Sequence, residues 1–192
     1  YLLIGITMPW LYYYLIPTVL KELLWVNMRL IIFFLFANFL YGANVETISV
    51  FSMSMNKKIK NLVITPDQYA DVSLSTVYLL HGAGGSYLDW STKVQGLEQY
   101  CDKLNVILIC PDGGDNSWYF DSPIDSNYRY ETYICEELVD FIDNKYLTKK
   151  DPKFRAISGL SMGGHGALYL AIKNQNIFGL AGSMSGGLDI RG

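Results

Sequence analysis

The stretch that decides the fold is ISGLSMGGHGALYL, residues 157–170. It begins as an apolar strand, turns at GLSMG (159–163) and continues with the spacing of a helix. The pattern G-x-S-x-G between a strand and a helix holds a serine on a strained turn with its side chain exposed. Glycines are needed two positions before and after the serine, because side chains there would collide with the adjacent strand and helix. The pattern predicts that Ser161 is a nucleophile at a helix N-terminus, where the helix dipole favours negative charge.

Apolar runs alternate with helical patterns along most of the chain. The predicted strands are 61–66, 75–82, 105–113, 154–159 and 178–186, and the predicted helices are 90–104, 130–146 and the one after Ser161. Nearly continuous apolar strands alternating with helices predict an α/β fold, with a mostly parallel sheet and helices on both faces. Ligands bind at the carboxyl ends of the strands in such a sheet. The motifs HGAGG, PDGG and GLSMGG each follow a predicted strand, so we expect them to meet there.

The glycine-rich loop HGAGG, residues 81–85, follows the second predicted strand. In folds with a G-x-S-x-G turn, a loop at this place supplies one of the two backbone N–H groups that stabilise an oxyanion. We assign one donor to Met162, the residue after the nucleophile, and the other to Ala83. Taken alone, the loop has a plain glycine-rich turn as its alternative interpretation.

Three segments together carry a family resemblance: YLLHGAGGSYLDW, ICPDGGDNSWY and ISGLSMGGHGALYLA. In this order they resemble the esterase family of α/β-hydrolases that includes esterase D, S-formylglutathione hydrolase, feruloyl and acetyl xylan esterases and the mycolyltransferases. The resemblance covers residues 48–190 and is greatest to the secreted carbohydrate esterases. It implies an α/β-hydrolase fold without a metal or a cofactor, with Ser161 as nucleophile and the Ala83 and Met162 amides as oxyanion hole.

The resemblance also indicates which residues surround the substrate. His81 and Gly82 belong to the oxyanion loop, and the His81 side chain at this position usually braces that loop. The segment that runs from PDGG to SWY lines the acyl or alcohol pocket, which assigns Trp118 and Tyr119 to substrate binding. Both rings could stack on a sugar or an aromatic acid, and both could equally be core residues.

A serine nucleophile needs a base, and neither of the two histidines in the chain fits. His81 lies in the oxyanion loop, and His165 follows Ser161 by four residues on the same helix, so its ring is not expected to reach the serine oxygen. The family order places the acid and the histidine after later strands. Asp189, the single carboxylate after Ser161, comes one strand too early and is expected to lie in a surface loop. We therefore expect an N-terminal fragment, with the C-terminal part and the two triad partners beyond residue 192.

Composition excludes some partners. The net charge of −3 and the pI near 5.3 leave no basic field for nucleic acid. Cys101, Cys110 and Cys135 have neither CxxC spacing nor nearby histidines, so a metal site is not expected. Buried thiols are the favoured interpretation, and one disulfide in an oxidising compartment is the alternative.

The N-terminal residues divide into two hydrophobic segments before the domain at 44–192. Residues 1–27 form a hydrophobic upstream segment, and we expect Met28 to be the true start of the protein. The alternative is a hydrophobic hairpin that keeps the domain on a membrane. Residues 28–43 have a positive charge, an apolar run of secretory length and small residues at the end, which is typical of a signal peptide. An uncleaved membrane anchor is the alternative. The protein is thus predicted to be secreted or periplasmic, or membrane-anchored, with membrane contact only through these segments.

The predicted function is that of a serine esterase that forms an acyl-enzyme on acetyl, feruloyl or short-chain acyl esters. The ester would be a small molecule or linked to a polysaccharide. The fragment alone is expected to be nearly inactive, because a serine without its base is a weak nucleophile. The alternatives are an acyltransferase on the same scaffold and an inactive, membrane-held binding module.

Overall fold

The computed structural model describes residues 42–67, 69 and 71–189, together with 20, 22, 23, 25, 26 and 29. The chain forms two compact units, Tyr1–Tyr41 and Gly42–Gly192. The described residues of the first unit are helical and exposed. Most of the predicted segments 1–27 and 28–43 lies outside the described residues. In the part that is described, no helix has both the length and the apolar character to cross a membrane.

Six strands form one mixed sheet among the described residues. They are β1 (Asn44–Ser52), β2 (Lys57–Thr65), β3 (Ser75–Leu80), β4 (Val106–Pro111), β5 (Arg155–Leu160) and β6 (Leu180–Met184), in the spatial order β1-β2-β4-β3-β5-β6. Strand β2 pairs antiparallel with β1 and β4, and the three other pairs are parallel. Five of the six strands therefore run in one direction, which confirms the predicted mostly parallel sheet.

Helices connect the strands. The described ones are α1 (Asp89–Lys93), α2 (Leu97–Leu104), α3 (Tyr130–Thr132), a π-helical segment (Tyr133–Leu138), α4 (Val139–Lys145), a 3-10 turn (Pro152–Phe154) and α5 (Met162–Lys173). The predicted helix 130–146 is present but contains the π-helical segment. The predicted helix 90–104 is wrong as a single element, because Gly96 has a left-handed φ of +77° and breaks it into α1 and α2.

The hydrophobic core lies on both faces of the sheet. Along β4, Ile107 and Ile109 join a large cluster that includes the π-helical segment and α5, while Leu108 and Cys110 join a smaller one with α2. This alternation follows from the two-residue period of a strand. Each fully buried aliphatic side chain contributes roughly 1.5–3 kcal/mol to folding. The predicted cover of helices on both faces is therefore confirmed.

Strand β1 was not predicted, and β2 begins four residues before the predicted strand 61–66. The signal for β1 was the alternation that buries Ile48 and Val50 and leaves the residues next to them in the chain exposed. Because β1 is an edge strand, only one of its faces is buried, and its apolar content is low. The carboxyl ends of β3, β4, β5 and β6 meet at one edge of the sheet, which brings the loops after these strands together.

Candidate active site

Ser161 occupies the sharp turn between β5 and α5. Its backbone has φ 55° and ψ −116°, and its side chain is exposed. The N–H of Ser161 donates to the Met184 carbonyl at 2.8 Å, and the His165 N–H donates to the Ser161 carbonyl at 3.0 Å. A non-glycine residue in such a conformation costs on the order of 1–3 kcal/mol and persists only when its surroundings enforce it. The turn thus exposes the hydroxyl while the backbone is held from both sides.

Two glycines make this turn possible. A Cβ added to Gly159 would overlap the backbone of Gly163, and one added to Gly163 would overlap the Leu80 carbonyl at the end of β3, both closer than 3.0 Å. The turn therefore packs directly against its own helix and the neighbouring strand. This close packing confirms the predicted reason for the glycines of the G-x-S-x-G pattern.

The loop after β3 lies directly beside the serine. A Cβ on Gly82 would be 3.6 Å from the Cβ of Ser161 and 3.4 Å from the Leu160 carbonyl. The loop is shaped by hydrogen bonds from the Gly84 N–H to the Asp115 carbonyl, at 2.8 Å, and from the Gly85 N–H to the Gly82 carbonyl, at 3.1 Å. The fold thus brings the predicted oxyanion loop and the predicted nucleophile together.

The backbone N–H groups of Ala83 and Met162 are the two candidate oxyanion donors. Among the described residues, neither donates a hydrogen bond, although the next amides along the loop do. Met162 is the first residue of α5, so its N–H is one of the groups that a helix leaves unpaired. Ala83 is exposed at the edge of the site. Neither amide is therefore used within the described part of the fold; Met162 is fully buried, and its amide lies at a helix N-terminus, which favours an anion.

His81 lies beneath the oxyanion loop and is only 1% exposed. Its Nε2 accepts a hydrogen bond of 2.8 Å from the Gly113 N–H, so the ring proton is on Nδ1, which donates to the Gly82 carbonyl at 2.7 Å. Both nitrogens are therefore engaged in joining two loops. The bracing role that the resemblance implies for the His81 side chain agrees with its burial and its contacts.

Tyr119 is fully buried, so the structure assigns it to the core. Its ring fills the space above Gly113 and Gly166, where an added Cβ would collide with it, and its hydroxyl donates to the His81 carbonyl at 3.0 Å. Burial raises the pKa of Tyr119 well above its usual value. The core alternative is therefore the right one for Tyr119, and its assignment to substrate binding is corrected.

Trp118 is partly buried and keeps some exposed surface. Its ring meets His165 edge to face, with ring centroids 5.2 Å apart. A Cβ on Gly187, in the loop after β6, would be 3.2 Å from the indole. Trp118 and Tyr119 both have a positive φ, of 53° and 61°. This backbone conformation is uncommon for residues other than glycine, and here it occurs at two consecutive residues. That arrangement separates a buried tyrosine from a half-exposed tryptophan.

His165 lies in α5, one turn after Ser161, and is buried. Its Nδ1 is 2.9 Å from the Gly187 carbonyl, and its ring stacks on Tyr169 with centroids 5.9 Å apart. Because a carbonyl can only accept, Nδ1 is the donor. Among the described residues, neither the His165 imidazole nor the His81 imidazole hydrogen-bonds to the Ser161 hydroxyl. The expectation that neither is the base therefore agrees with their contacts.

The three cysteines, Asp189 and possible metal ligands are the other side chains that the sequence singled out. Cys101, Cys110 and Cys135 are free and buried, and burial raises the pKa of each thiol to about 12. Asp189 lies exposed in the loop after β6. Within the described ranges, no group of three or more His, Cys, Asp or Glu side chains is arranged to hold a metal ion.

Known proteins are similar in sequence to most of this chain. Residues 52–191 match the family model described as Putative esterase. The chain is 32% identical over 143 residues to the acetyl esterase of Caldicellulosiruptor saccharolyticus, covering 69% of the chain and 53% of that protein. It is 33% identical over 157 residues to the diacylglycerol acyltransferase/mycolyltransferase Ag85A of Mycobacterium leprae (strain TN), covering 77% and 46%. The chain thus spans about half the length of these relatives.

A solved structure shares the fold. A ferulic acid esterase superposes with a TM-score of 0.70 and 29% identity, covering 79% of this chain and 62% of that one. This similarity confirms the α/β-hydrolase fold that the sequence predicted.

Proposed function

Since this chain belongs to the Putative esterase family of α/β-hydrolases, we propose that it is a serine carboxylic-ester hydrolase in which Ser161 forms an acyl-enzyme. The observation that carries the proposal is the placement of an exposed, strained Ser161 beside Gly82, with two unused backbone N–H groups next to it. Acyl transfer needs this combination, because the carbonyl oxygen becomes negatively charged when the hydroxyl adds to the carbon.

The reaction begins with addition of Ser161 Oγ to the ester carbonyl carbon. The carbonyl π electrons move to oxygen, and the Ala83 and Met162 N–H groups bind this oxyanion. A base takes the Oγ proton and transfers it to the leaving alkoxide when the intermediate collapses, which leaves an acyl group on Ser161. Water then adds to the acyl group by the same steps and releases the acid.

The base is the part of the reaction that the two histidines of this chain do not supply. His81 uses both ring nitrogens to join loops, and His165 is buried with Nδ1 on the Gly187 carbonyl. We therefore propose that the acid and the histidine of the triad come from outside these 192 residues. In this proposal the 192-residue polypeptide is nearly inactive by itself, since loss of a triad member leaves only the contribution of the oxyanion hole and binding.

Acetyl and feruloyl esters are the proposed substrates, free or linked to a polysaccharide. The proposal is supported by the identity with an acetyl esterase, by the likeness to a ferulic acid esterase, and by the half-exposed indole of Trp118. An indole offers a flat surface to an aromatic acid or a sugar ring.

The decisive experiment supplies the missing base from solution. Hydrolysis of p-nitrophenyl acetate by the 192-residue protein is measured against imidazole concentration. We expect an imidazole-dependent rate that Ser161→Ala lowers to the rate of imidazole in buffer, because a small base can enter an exposed site. Ser49→Ala, at an exposed serine of β1, is the control and should keep the full rate. An equal rate in the Ser161→Ala protein would contradict the proposal and favour an inactive binding module.

A second candidate function is acyl transfer to an alcohol. The 33% identity to a mycolyltransferase supports it, since an acyl-enzyme at Ser161 would be common to both reactions. The two differ in whether water or an alcohol resolves the acyl group. Product analysis with trehalose, glycerol or a xylo-oligosaccharide as added acceptor distinguishes them: acylated acceptor indicates transfer, and free acid alone indicates hydrolysis.

We also propose that residues 28–43 direct the protein out of the cytoplasm, by secretion or by a retained anchor. The support is the sequence pattern of a charge, an apolar run and small residues. Fusing residues 28–192 to a reporter that is active only after export tests it. Activity should be lost when the apolar run is interrupted by charges.

A further inference from the structure

His165 is a buried histidine with no role in the proposed mechanism. It lies one turn after Ser161 on α5 and is 9% exposed. Its Nδ1 donates to the Gly187 carbonyl, while its Nε2 is buried and has no hydrogen-bond partner among the described residues. A buried acceptor without a partner is unfavourable, so an apolar ring of the same size would serve packing better. The presence of an imidazole here calls for another role.

The Trp118 indole packs against the large core cluster and makes two further contacts that both involve this imidazole. On one side the indole meets the His165 ring edge to face at 5.2 Å. On the other side it lies against Gly187, close enough that an added Cβ would be 3.2 Å away. His165 Nδ1 donates a hydrogen bond to the Gly187 carbonyl. The His165 ring therefore contacts the indole directly and also holds Gly187 against it. Tyr169 stacks on the His165 ring and donates to Glu131 at 2.9 Å, which helps to fix the position of the imidazole.

The backbone of Trp118 would not hold the indole in place by itself. Its φ of 53° lies in the left-handed region, which tryptophan rarely adopts. Such a conformation persists because surrounding contacts enforce it. The neighbouring Tyr119 is anchored in the core, and the indole is set by its packing against the core cluster and by its contacts with His165 and Gly187.

We propose that His165 is a positioning residue that fixes the Trp118 indole as a rigid wall beside Ser161, and that this wall selects planar aromatic acyl groups over acetyl. The inference rests on the proposed function, because the indole would bind the acyl group of the ester that Ser161 attacks. A wall fixed in advance binds a flat ring without first having to be ordered. An acetyl group is too small to use it.

Two substitutions separate the parts of the imidazole. His165→Asn keeps a donor near the position of Nδ1 but removes the ring, and His165→Phe keeps the ring but removes the donor. We expect each to weaken ferulate binding about 3- to 10-fold, as judged by calorimetry on the 192-residue protein. Imidazole-dependent hydrolysis of p-nitrophenyl acetate should be unchanged. Ile172→Ala, an exposed position on the same helix, is the control and should leave both unchanged.

Coupling to Trp118 distinguishes positioning from a general structural effect. In a Trp118→Ala background, His165→Asn should change ferulate affinity less than about 2-fold, because the wall it positions is already gone. A loss equal to that in the wild-type background would overturn the inference, as would unchanged ferulate affinity in both His165 variants. If neither variant folds, Gly187→Ala places a Cβ against the indole while the histidine is kept, and it should weaken ferulate binding in the same way.

The outcome is independent of the proposed chemistry, because binding of ferulate requires no reaction at Ser161. Coupled loss of ferulate affinity without ester turnover would support the wall and refute the esterase. Turnover that depends on Ser161, without coupling between His165 and Trp118, would refute the wall alone.

Discussion

The Nε2 atom of His81 accepts a hydrogen bond of 2.8 Å from the backbone N–H of Gly113. This bond joins the loop after β3, which carries the candidate oxyanion donor Ala83, to the loop after β4. The other nitrogen of the same ring holds the Gly82 carbonyl at 2.7 Å. One buried imidazole therefore fixes the geometry of the loop that lies beside Ser161.

The two bonds of His81 can be tested separately. His81→Gln keeps an acceptor that reaches toward Gly113, while His81→Asn keeps a donor near Gly82 but leaves the buried Gly113 N–H unpaired. We expect His81→Asn to lower the free energy of unfolding by about 1–3 kcal/mol and His81→Gln to lower it by less. Urea denaturation measures both. Equal losses in the two variants would show that the bond to Gly113 is not the important one.

The packing around the nucleophile turn predicts which glycines are indispensable. Gly163→Ala places a Cβ against the Leu80 carbonyl, and the backbone there cannot move aside as a side chain would. We expect a loss of stability of about 1–3 kcal/mol and a displaced turn. Gly42→Ala, where an added Cβ meets nothing within 4 Å, is the control and should be close to neutral. Thermal unfolding of both proteins provides the comparison, and an equally small change in both would contradict the packing described.

A buried ion pair supports the opposite end of β5. Arg155 donates to Asp143 at 2.7 Å, with side chains only 4% and 10% exposed, and to the Ile177 carbonyl at 2.8 Å. Removing one member leaves a buried charge, so Asp143→Asn should cost about 3–5 kcal/mol. The surface pair of Lys93 and Asp89 gives the control, since Lys93→Ala should cost less than about 1 kcal/mol. Urea midpoints that fall equally in both variants would argue against a buried pair.

The cysteines should be unreactive in the folded protein. Burial disfavours the charged thiolate and raises the pKa of Cys110 and Cys135 to about 12, so both thiols stay protonated at pH 8. We expect no reaction with a thiol reagent at pH 8 in buffer and reaction of all three cysteines in 8 M urea. Fast labelling of the native protein would show that a thiol is accessible, and fewer than three in urea would indicate a disulfide.

Local patterns predicted much of this molecule. The turn at Ser161 was predictable because its glycine requirement depends on steric contacts between residues close in the chain or at one strand end. The order of strands and helices was predictable because continuous apolar runs are buried on both faces of a parallel sheet. The break at Gly96 was missed, since helical spacing continues across it and only the left-handed backbone of that residue interrupts the helix. The edge strand β1 was missed because half of its side chains face away from the core.

The sequence alone indicated the family, a mostly parallel sheet and the glycine-bounded turn at Ser161, because these follow from motifs and periodicity within short segments. Only the tertiary structure decided between Trp118 and Tyr119, which are adjacent and chemically alike. Both residues have positive φ in the loop after β4. The contacts that place the Tyr119 ring in the core and leave the Trp118 ring partly exposed come from Gly113, Gly166, Gly187 and His165. The same holds for His81 and His165, since the partners of a buried imidazole are set by the loops and helices that the fold brings around it.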